Sequence, residues 1–282
     1  MVELPLLSHF QAAVLLRGWA DGASSALTSL DLGLTSVEVP LAEGGPVLPD
    51  GRYLPWESVQ EIASSETACF LIEQGQAVKI QRFSEAFNRF YGLMPTERAP
   101  TLLISGILMH RIQGITPDRD TLSKVRTIAP LTGRVLDTCT GLGYTAIEAA
   151  KTAEQVVTIE LDPAVLEVAR FNPWSRALFD NPRIEQIVGD SFDVVSEFED
   201  GAFSRILHDP PTFSLAGDLY SGEFYRHLYR LLKPKGRLFH YVGDLESRLG
   251  RNVVRGVVRR LQEVGFTRVV RRSEAFGVVA TK

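Results

Sequence analysis

The stretch RVLDTCTGLGYTA, residues 134–146, decides the fold. Its first part, RVLDTC (134–139), is apolar and strand-like, and Asp137 is followed by glycines at alternate positions, Gly141 and Gly143. A helix is then expected from about Thr145 through AIEAAKTA (146–153). In a strand–turn–helix of this kind the glycines let the backbone pass close to a ligand. The start of the helix also presents N–H groups that have no partner within the helix. A tight turn with no ligand carries the same signature, so the loop takes its meaning from its neighbours.

Those neighbours repeat one pattern. VVTIEL (156–161) reads as a strand and AVLEVARFN (164–172) as a helix. IEQIVGD (184–190) and SRILHD (204–209) read as strands, EFYRHLYRLL (223–232) as a helix and GRLFHYV (236–242) as a strand. Strands alternating with helices of this length build right-handed βαβ units on a parallel sheet. The final FTRVVRRSEAFGVVAT (266–281) predicts two strands around a short turn. The expected fold is α/β, a doubly wound and mostly parallel seven-stranded sheet closed by a terminal antiparallel hairpin.

Upstream the texture changes. SVEVPLAE (36–43) alternates like a half-buried strand, and Pro49-Asp50-Gly51 predicts a hairpin over 46–55. CFLIEQGQAVKI (69–80) reads as strand, turn, strand. SEAFNRFYGL (84–93) has apolar residues at helical spacing, and LLISGILMHRI (102–112) fits a strand or a buried helix. The chain therefore divides into a smaller α+β domain, 1–115, expected to cover the active-site edge and choose the substrate, and a ligand-binding domain, 116–282. PDRD (117–120) marks the boundary.

The 282 residues are 45% hydrophobic and 23% charged, which excludes disordered and fibrous classes. No apolar run approaches the ~18 residues of a membrane helix, and the N-terminus lacks the basic start of a signal peptide. Two cysteines 70 positions apart suit a reducing compartment. A cytoplasmic chain without a membrane partner is expected. Net charge is −4, but residues 226–282 hold 14 Lys+Arg against four Asp+Glu, and the remainder carries −14. A basic third of this kind suits a polyanion such as RNA, or pairing with another face of the fold.

The strand ends then add chemistry. Glu160 closes the second strand, 17 residues after Gly143, where an acid can grip both hydroxyls of a ribose. Asp190 closes the third, where a carboxylate can accept from an adenine amino group with Phe192 over the ring. Each acid alone also reads as a solvated strand end. Together, three acids at three successive strand tips outline a nucleoside site at the edge where open α/β sheets bind ligands.

On these residues the chain resembles the class I S-adenosylmethionine-dependent methyltransferases over about 117–282. The resemblance implies S-adenosyl-L-methionine as cofactor. It implies a loop 137–145 around the methionine part through Asp137, Thr138, Gly141, Gly143 and Thr145, with Glu160 and Leu161 at the ribose. Asp190 and Ser191 would meet the adenine, and His208 would also line the cofactor. The chain departs from the family at Cys139, where many members carry a first glycine.

At the fourth strand, Asp209-Pro210-Pro211-Thr212 resembles the [DN]-PP-[YF] motif of amino-group methyltransferases. The resemblance implies that Asp209 and the Pro210 carbonyl accept hydrogen bonds from the acceptor nitrogen and aim its lone pair, because methyl transfer is mainly a matter of positioning. The tandem prolines Pro210 and Pro211 fix the backbone that holds those acceptors. An aromatic usually fills the place of Thr212; here Phe213 follows it. DPPTFS (209–214) is also similar to a string in a bacterial ribosomal RNA guanine-N7 methyltransferase. Tyr220, on the loop leaving the site, is a further candidate to orient a substrate, whereas Tyr225 and His227 read as a helix face.

Other constellations are weaker. A Cys139–His208 nucleophile pair would occupy space that the cofactor needs. The five histidines show no metal-ligand spacing with the cysteines, so no metal is expected. Residues 246–264 predict an amphipathic helix with Leu249, Val253, Val257, Leu261 and Val264 on one face and Arg248, Arg251, Arg255 and Arg259 forming a basic stripe. The stripe suits a phosphate backbone, and it also suits a solvated face. Three functions follow: methyl transfer to nitrogen, with an RNA base as acceptor; methyl or aminopropyl transfer to a small molecule such as a polyamine, which the acidic body favours; or cofactor binding without catalysis, which the intact Asp209–Thr212 motif disfavours.

Overall fold

The structure is a computed structural model and describes residues 4–245 and 247–282, with nothing described of the side chains of Arg248 and Leu249. These two members of the expected helix stripe therefore lie outside the described residues. The chain forms two compact units, Met1–Asp118 with Glu167–Arg176, and Arg119–Leu166 with Ala177–Lys282.

The second unit is built on seven strands: β1 (Arg134–Asp137), β2 (Gln155–Glu160), β3 (Ile184–Val188), β4 (Phe203–His208), β5 (Leu232–Tyr241), β6 (Arg268–Arg272) and β7 (Gly277–Thr281). Their order across the sheet is β3-β2-β1-β4-β5-β7-β6. Neighbours from β3 to β5 run parallel, and β7 pairs antiparallel with both β5 and β6. This is the expected doubly wound sheet with a terminal hairpin. β1 and β2 are buried without alternation, at 135–137 and 156–159, as expected of a parallel sheet covered on both faces. The order reverses between β1 and β4, which opens a crevice at their carboxyl ends.

The helices are α1 (Pro117–Arg126), α2 (Tyr144–Ala150), α3 (Pro163–Arg170), α4 (Arg176–Asp180), α5 (Ser191–Val194), α6 (Gly222–Leu231) and α7 (Arg248–Val264). Ser221 caps α6 by accepting from the Phe224 N–H, and α7 ends at Gly265 in the left-handed conformation. The core joins Ile206, Phe224, Tyr225, Leu228, Val254, Val257 and Leu261. Val254, Val257 and Leu261 are the fully buried positions of α7, while Arg251, Arg255 and Arg259 are exposed. The inward face of α7 thus contains the expected Val257 and Leu261, with Val253 and Val264 packed against the same core and Val254 added to it.

The first unit carries helices His9–Ala20 and Trp56–Ser64, neither expected from the sequence, around a core of Leu7, Leu15, Leu54, Ile62, Phe70 and Ile72. Ser8 and Gln11 form a reciprocal capping box at the first helix. The helical spacing of 84–93 is overturned. Gln81–Ser84 and Arg89–Met94 are antiparallel strands joined by a turn with Asn88 at φ 49°. Likewise 102–112 is a hairpin, Thr101–Ile104 against Ile107–Leu108. Among the described residues, no helix is long and apolar enough to cross a membrane.

Candidate active site

The β1 exit makes a sharp turn because only glycine accepts its backbone readily. Gly141 has φ +52° and Gly143, which precedes α2, has φ +77°. Asp137, at the end of β1, is fully buried, and its Oδ2 accepts from the hydroxyls of Thr145 (2.9 Å) and Thr158 (3.0 Å). Burial pushes Asp137 up to about 8, against the pull of these two hydroxyls. Thr140 bonds Thr158 across the turn at 2.7 Å.

Glu160 ends β2 and turns its carboxylate onto the same loop. Oε2 accepts from the Gly141 N–H at 2.8 Å and Oε1 from the Asp162 N–H at 3.2 Å. Burial pushes Glu160 up to about 7, although both N–H groups oppose the shift. Asp190 is exposed, and its Oδ1 caps α5 by accepting from the Phe192 N–H at 2.8 Å. Ser191 is buried and donates to the Thr138 carbonyl, tying the β3 exit to the β1 exit. Leu161 follows Glu160 and is 39% exposed.

Several expected ligand contacts are corrected. His208 is fully buried, with Nδ1 2.7 Å from the Thr138 hydroxyl and Nε2 2.9 Å from the Leu219 carbonyl. Burial holds its ring neutral, down at about 3. Both nitrogens and the Thr138 hydroxyl are therefore spent inside the protein, and no Cys139–His208 pair forms. Thr145 likewise serves Asp137. Tyr220 is 4% exposed and donates its hydroxyl to the Pro211 carbonyl at 3.0 Å, so it braces the proline segment from behind. Tyr225 belongs to the core as expected, with its hydroxyl 2.9 Å from His240 Nε2.

Asp209 leaves β4 with its side chain 17% exposed, and Thr212 and Phe213 beyond it are exposed. The sequence did not reveal its partner. Lys124 of α1 is 1% exposed and places Nζ 2.7 Å from Asp209 Oδ2, 3.0 Å from Asp120 Oδ2 and 4.4 Å from the centre of the Tyr241 ring. Burial would lower the ammonium, but the two carboxylates raise it well above the usual lysine range. Asp137, Glu160 and Asp209 thus end β1, β2 and β4 around the point where strand order reverses.

Two observations test this edge against an adenosyl sulfonium. Asp137 Oδ1 is buried with no hydrogen-bond partner among the described residues. A Cβ at Gly141 would meet no atom within 4 Å. Both suit a cationic ligand lying over the loop, and the residues present fit it. Among the described residues no cluster could hold a metal ion.

The methyltransferase-domain family matches residues 135–236. An uncharacterised protein of Methanocaldococcus jannaschii is 46% identical over 236 residues, 83% of this chain and 80% of that protein. This chain belongs to the class I S-adenosylmethionine-dependent methyltransferase family. It is accordingly an S-adenosylmethionine-dependent transferase. Within that family it is also similar to a polyamine aminopropyltransferase of Sulfolobus acidocaldarius, 28% identical over 66% of this chain and 61% of that enzyme. A crystal structure of spermidine synthase from Thermotoga maritima shares the fold at a TM-score of 0.56, with 20% identity over 71% of this chain and 70% of that one.

Proposed function

We propose that this methyltransferase-family chain transfers an aminopropyl group from decarboxylated S-adenosylmethionine to the primary amine of a small polyamine. The observation that carries the reading is the acidity of the carboxyl edge. The negative charge there comes from Asp209 and Asp120, which flank the single buried cation Lys124, and from Glu160, which is partly ionised near pH 7; Asp137, protonated near neutrality, adds a polar group without charge. Such an edge attracts a cationic amine and a donor without its own carboxylate, and it repels phosphates. The names of the Sulfolobus enzyme and the Thermotoga structure support the same substrate class.

When bound, the sulfonium supplies an electrophilic carbon, whose S–C bond breaks as the amine forms the new N–C bond and sulfur leaves as a neutral thioether. The chain's part is positioning. The amine enters as its ammonium and gives one proton to water before it attacks. Asp209 and the Pro210 carbonyl accept from its remaining N–H groups and aim the lone pair. Tyr220 braces Pro211 so that these acceptors do not drift. The Gly141 turn, held by Glu160, leaves room for the donor.

The test is calorimetric titration with S-adenosylhomocysteine and with decarboxylated S-adenosylmethionine, followed by mass spectrometry of putrescine and spermidine incubated with each donor. Preference for the decarboxylated donor and an aminopropylated amine support the reading. A methylated amine replaces the donor and keeps the acceptor. Transfer to no amine from either donor overturns it.

A further inference from the structure

We infer that Lys124 is a positioning residue of this site, which, through the buried Asp120–Lys124–Asp209 arrangement, holds Asp209 ionised and in one orientation as a hydrogen-bond acceptor. The inference rests on the amine-transfer reading for its catalytic consequence, and on geometry alone for the charge of Asp209.

The geometry is unusual for a lysine. The side chain is 1% exposed, yet lysine is almost never fully buried unless paired. Removing an ammonium from water costs several kcal/mol in order of magnitude, and only close counter-charges offset it. Lys124 has two, Asp120 one helical turn earlier and Asp209 at the β4 exit, and the face of the Tyr241 ring adds a third contact. An apolar residue would fill a structural position in α1 at lower cost. What an apolar residue would not do is set the state of the carboxylate at the β4 exit.

That state is otherwise contested. Among the groups acting on Asp209 are Lys124 of α1, Asp137 and Cys139 at the β1 exit and Tyr220 on the loop after β4; Asp120 and Tyr241 in turn act on Lys124. Asp137, when ionised, favours protonation of Asp209. Lys124, at 2.7 Å, opposes that. The outcome is two carboxyls at one sheet edge in opposite states: Asp137 keeps its proton near neutrality, and Asp209 does not. A carboxylate paired with an ammonium is a weak base. Asp209 therefore accepts hydrogen bonds from the amine without taking its proton, and the Lys124 contact fixes the plane in which it does so.

Three proteins test this: the wild type, Lys124→Met and Lys124→Met/Asp120→Asn. The double variant also removes the buried carboxylate that the single change would strand. The Asp209 carboxyl carbon, assigned with Asp209→Asn, is titrated by NMR, a readout that needs no turnover. In the wild type it stays ionised from about pH 5 to 9; titration inside that range overturns the inference. In the double variant the titration moves up by about one pH unit or more, and the acid limb of kcat/KM for the amine moves with it. At neutral pH kcat/KM falls about tenfold while the donor Kd stays within about threefold. A folded double variant whose titration and pH profile coincide with the wild type overturns the role. If the wild type transfers to no amine, the functional reading fails, and the wild-type titration still decides the Lys124–Asp209 relation.

Discussion

Asp137 shows how one buried carboxyl couples fold to ligand. Its hydrogen bonds to Thr145 and Thr158 favour the ionised form, yet burial outweighs them and leaves it near 8. An unfolded aspartate titrates near 4. Between those values the folded chain holds a proton that the unfolded chain has lost, so stability falls as pH rises through the window. Glu160, pushed up to about 7, acts in the same direction between about 4.5 and 7. His208 acts in the opposite direction, costing stability as pH falls from about 6.5 toward 3. As pH climbs from about 6.5 to 7.5 the contribution of the buried histidines fades, and the carboxyls come to set the slope. Each carboxyl that stays protonated in the fold costs up to about 1.4 kcal/mol per pH unit there, worth about 3–6 °C in Tm for a chain of this size class. Scanning calorimetry of the ligand-free protein from pH 6.5 to 8 is therefore expected to show a falling Tm, with a flatter line for Asp137→Asn. A wild-type Tm that does not fall over this window counts against a protonated Asp137.

The glycine turn is the element on which the site depends, and its two glycines are not equivalent. A Cβ at Gly143 would lie 2.6 Å from Leu178 Cδ2 at a φ of +77°, whereas a Cβ at Gly141 faces open space at +52°. Gly143→Ala is expected to destabilise by about 2–4 kcal/mol, summing left-handed strain and overpacking. Leu178→Ala in that background should return part of the loss. Gly141→Ala should cost only about 1–2 kcal/mol in stability while weakening donor binding more than Gly143→Ala does, since its methyl would enter the open space proposed for the donor. Urea denaturation beside calorimetric titration separates the two, and equal loss of donor affinity from both would refute the assignment of that open space to the donor. This turn was legible because its signal is local: glycines after an apolar strand. The sheet was legible for the same reason, through alternating strand and helix runs. Other elements hid behind competing signals. Phe87, Phe90 and Tyr91 fall at helical spacing, but Asn88 takes the left-handed turn and Tyr91 and Leu93 point inward with a period of two. Helix α1 was hidden by its polarity. Asp120 and Lys124, four apart, read like a surface ion pair, and only the fold shows that both are buried. Sequence placed Asp209 at the site and could not show what holds it, because that partner comes from a helix 85 positions away.

Over the whole molecule, the charge that averages to −4 is separated in space as well as in sequence. The basic third supplies α7, with Arg251, Arg255 and Arg259 exposed, and β6, whose Arg268 and Arg271 are exposed at the end of the sheet. The acidic exits belong to β1, β2 and β4, and β5 and β7 stand between β4 and β6. A ligand held at the basic β6 edge would therefore have to reach past two strands to meet Asp209. A small amine needs no such reach, and its attraction to the acidic edge is long-ranged only until salt screens it, over about 10 Å at 0.1 M. Two measurements follow from this separation. Raising ionic strength from low to physiological and beyond should increase KM for the amine severalfold and leave kcat nearly constant, because screening weakens capture without altering the positioned complex. Arg251→Glu/Arg255→Glu/Arg259→Glu, at exposed positions of α7, should leave kcat/KM for the amine within about twofold, surface changes of this kind costing little stability. If instead the triple variant lost turnover together with a steeply salt-dependent affinity for bulk RNA, the basic stripe would be holding the acceptor, and the substrate would be a nucleic acid.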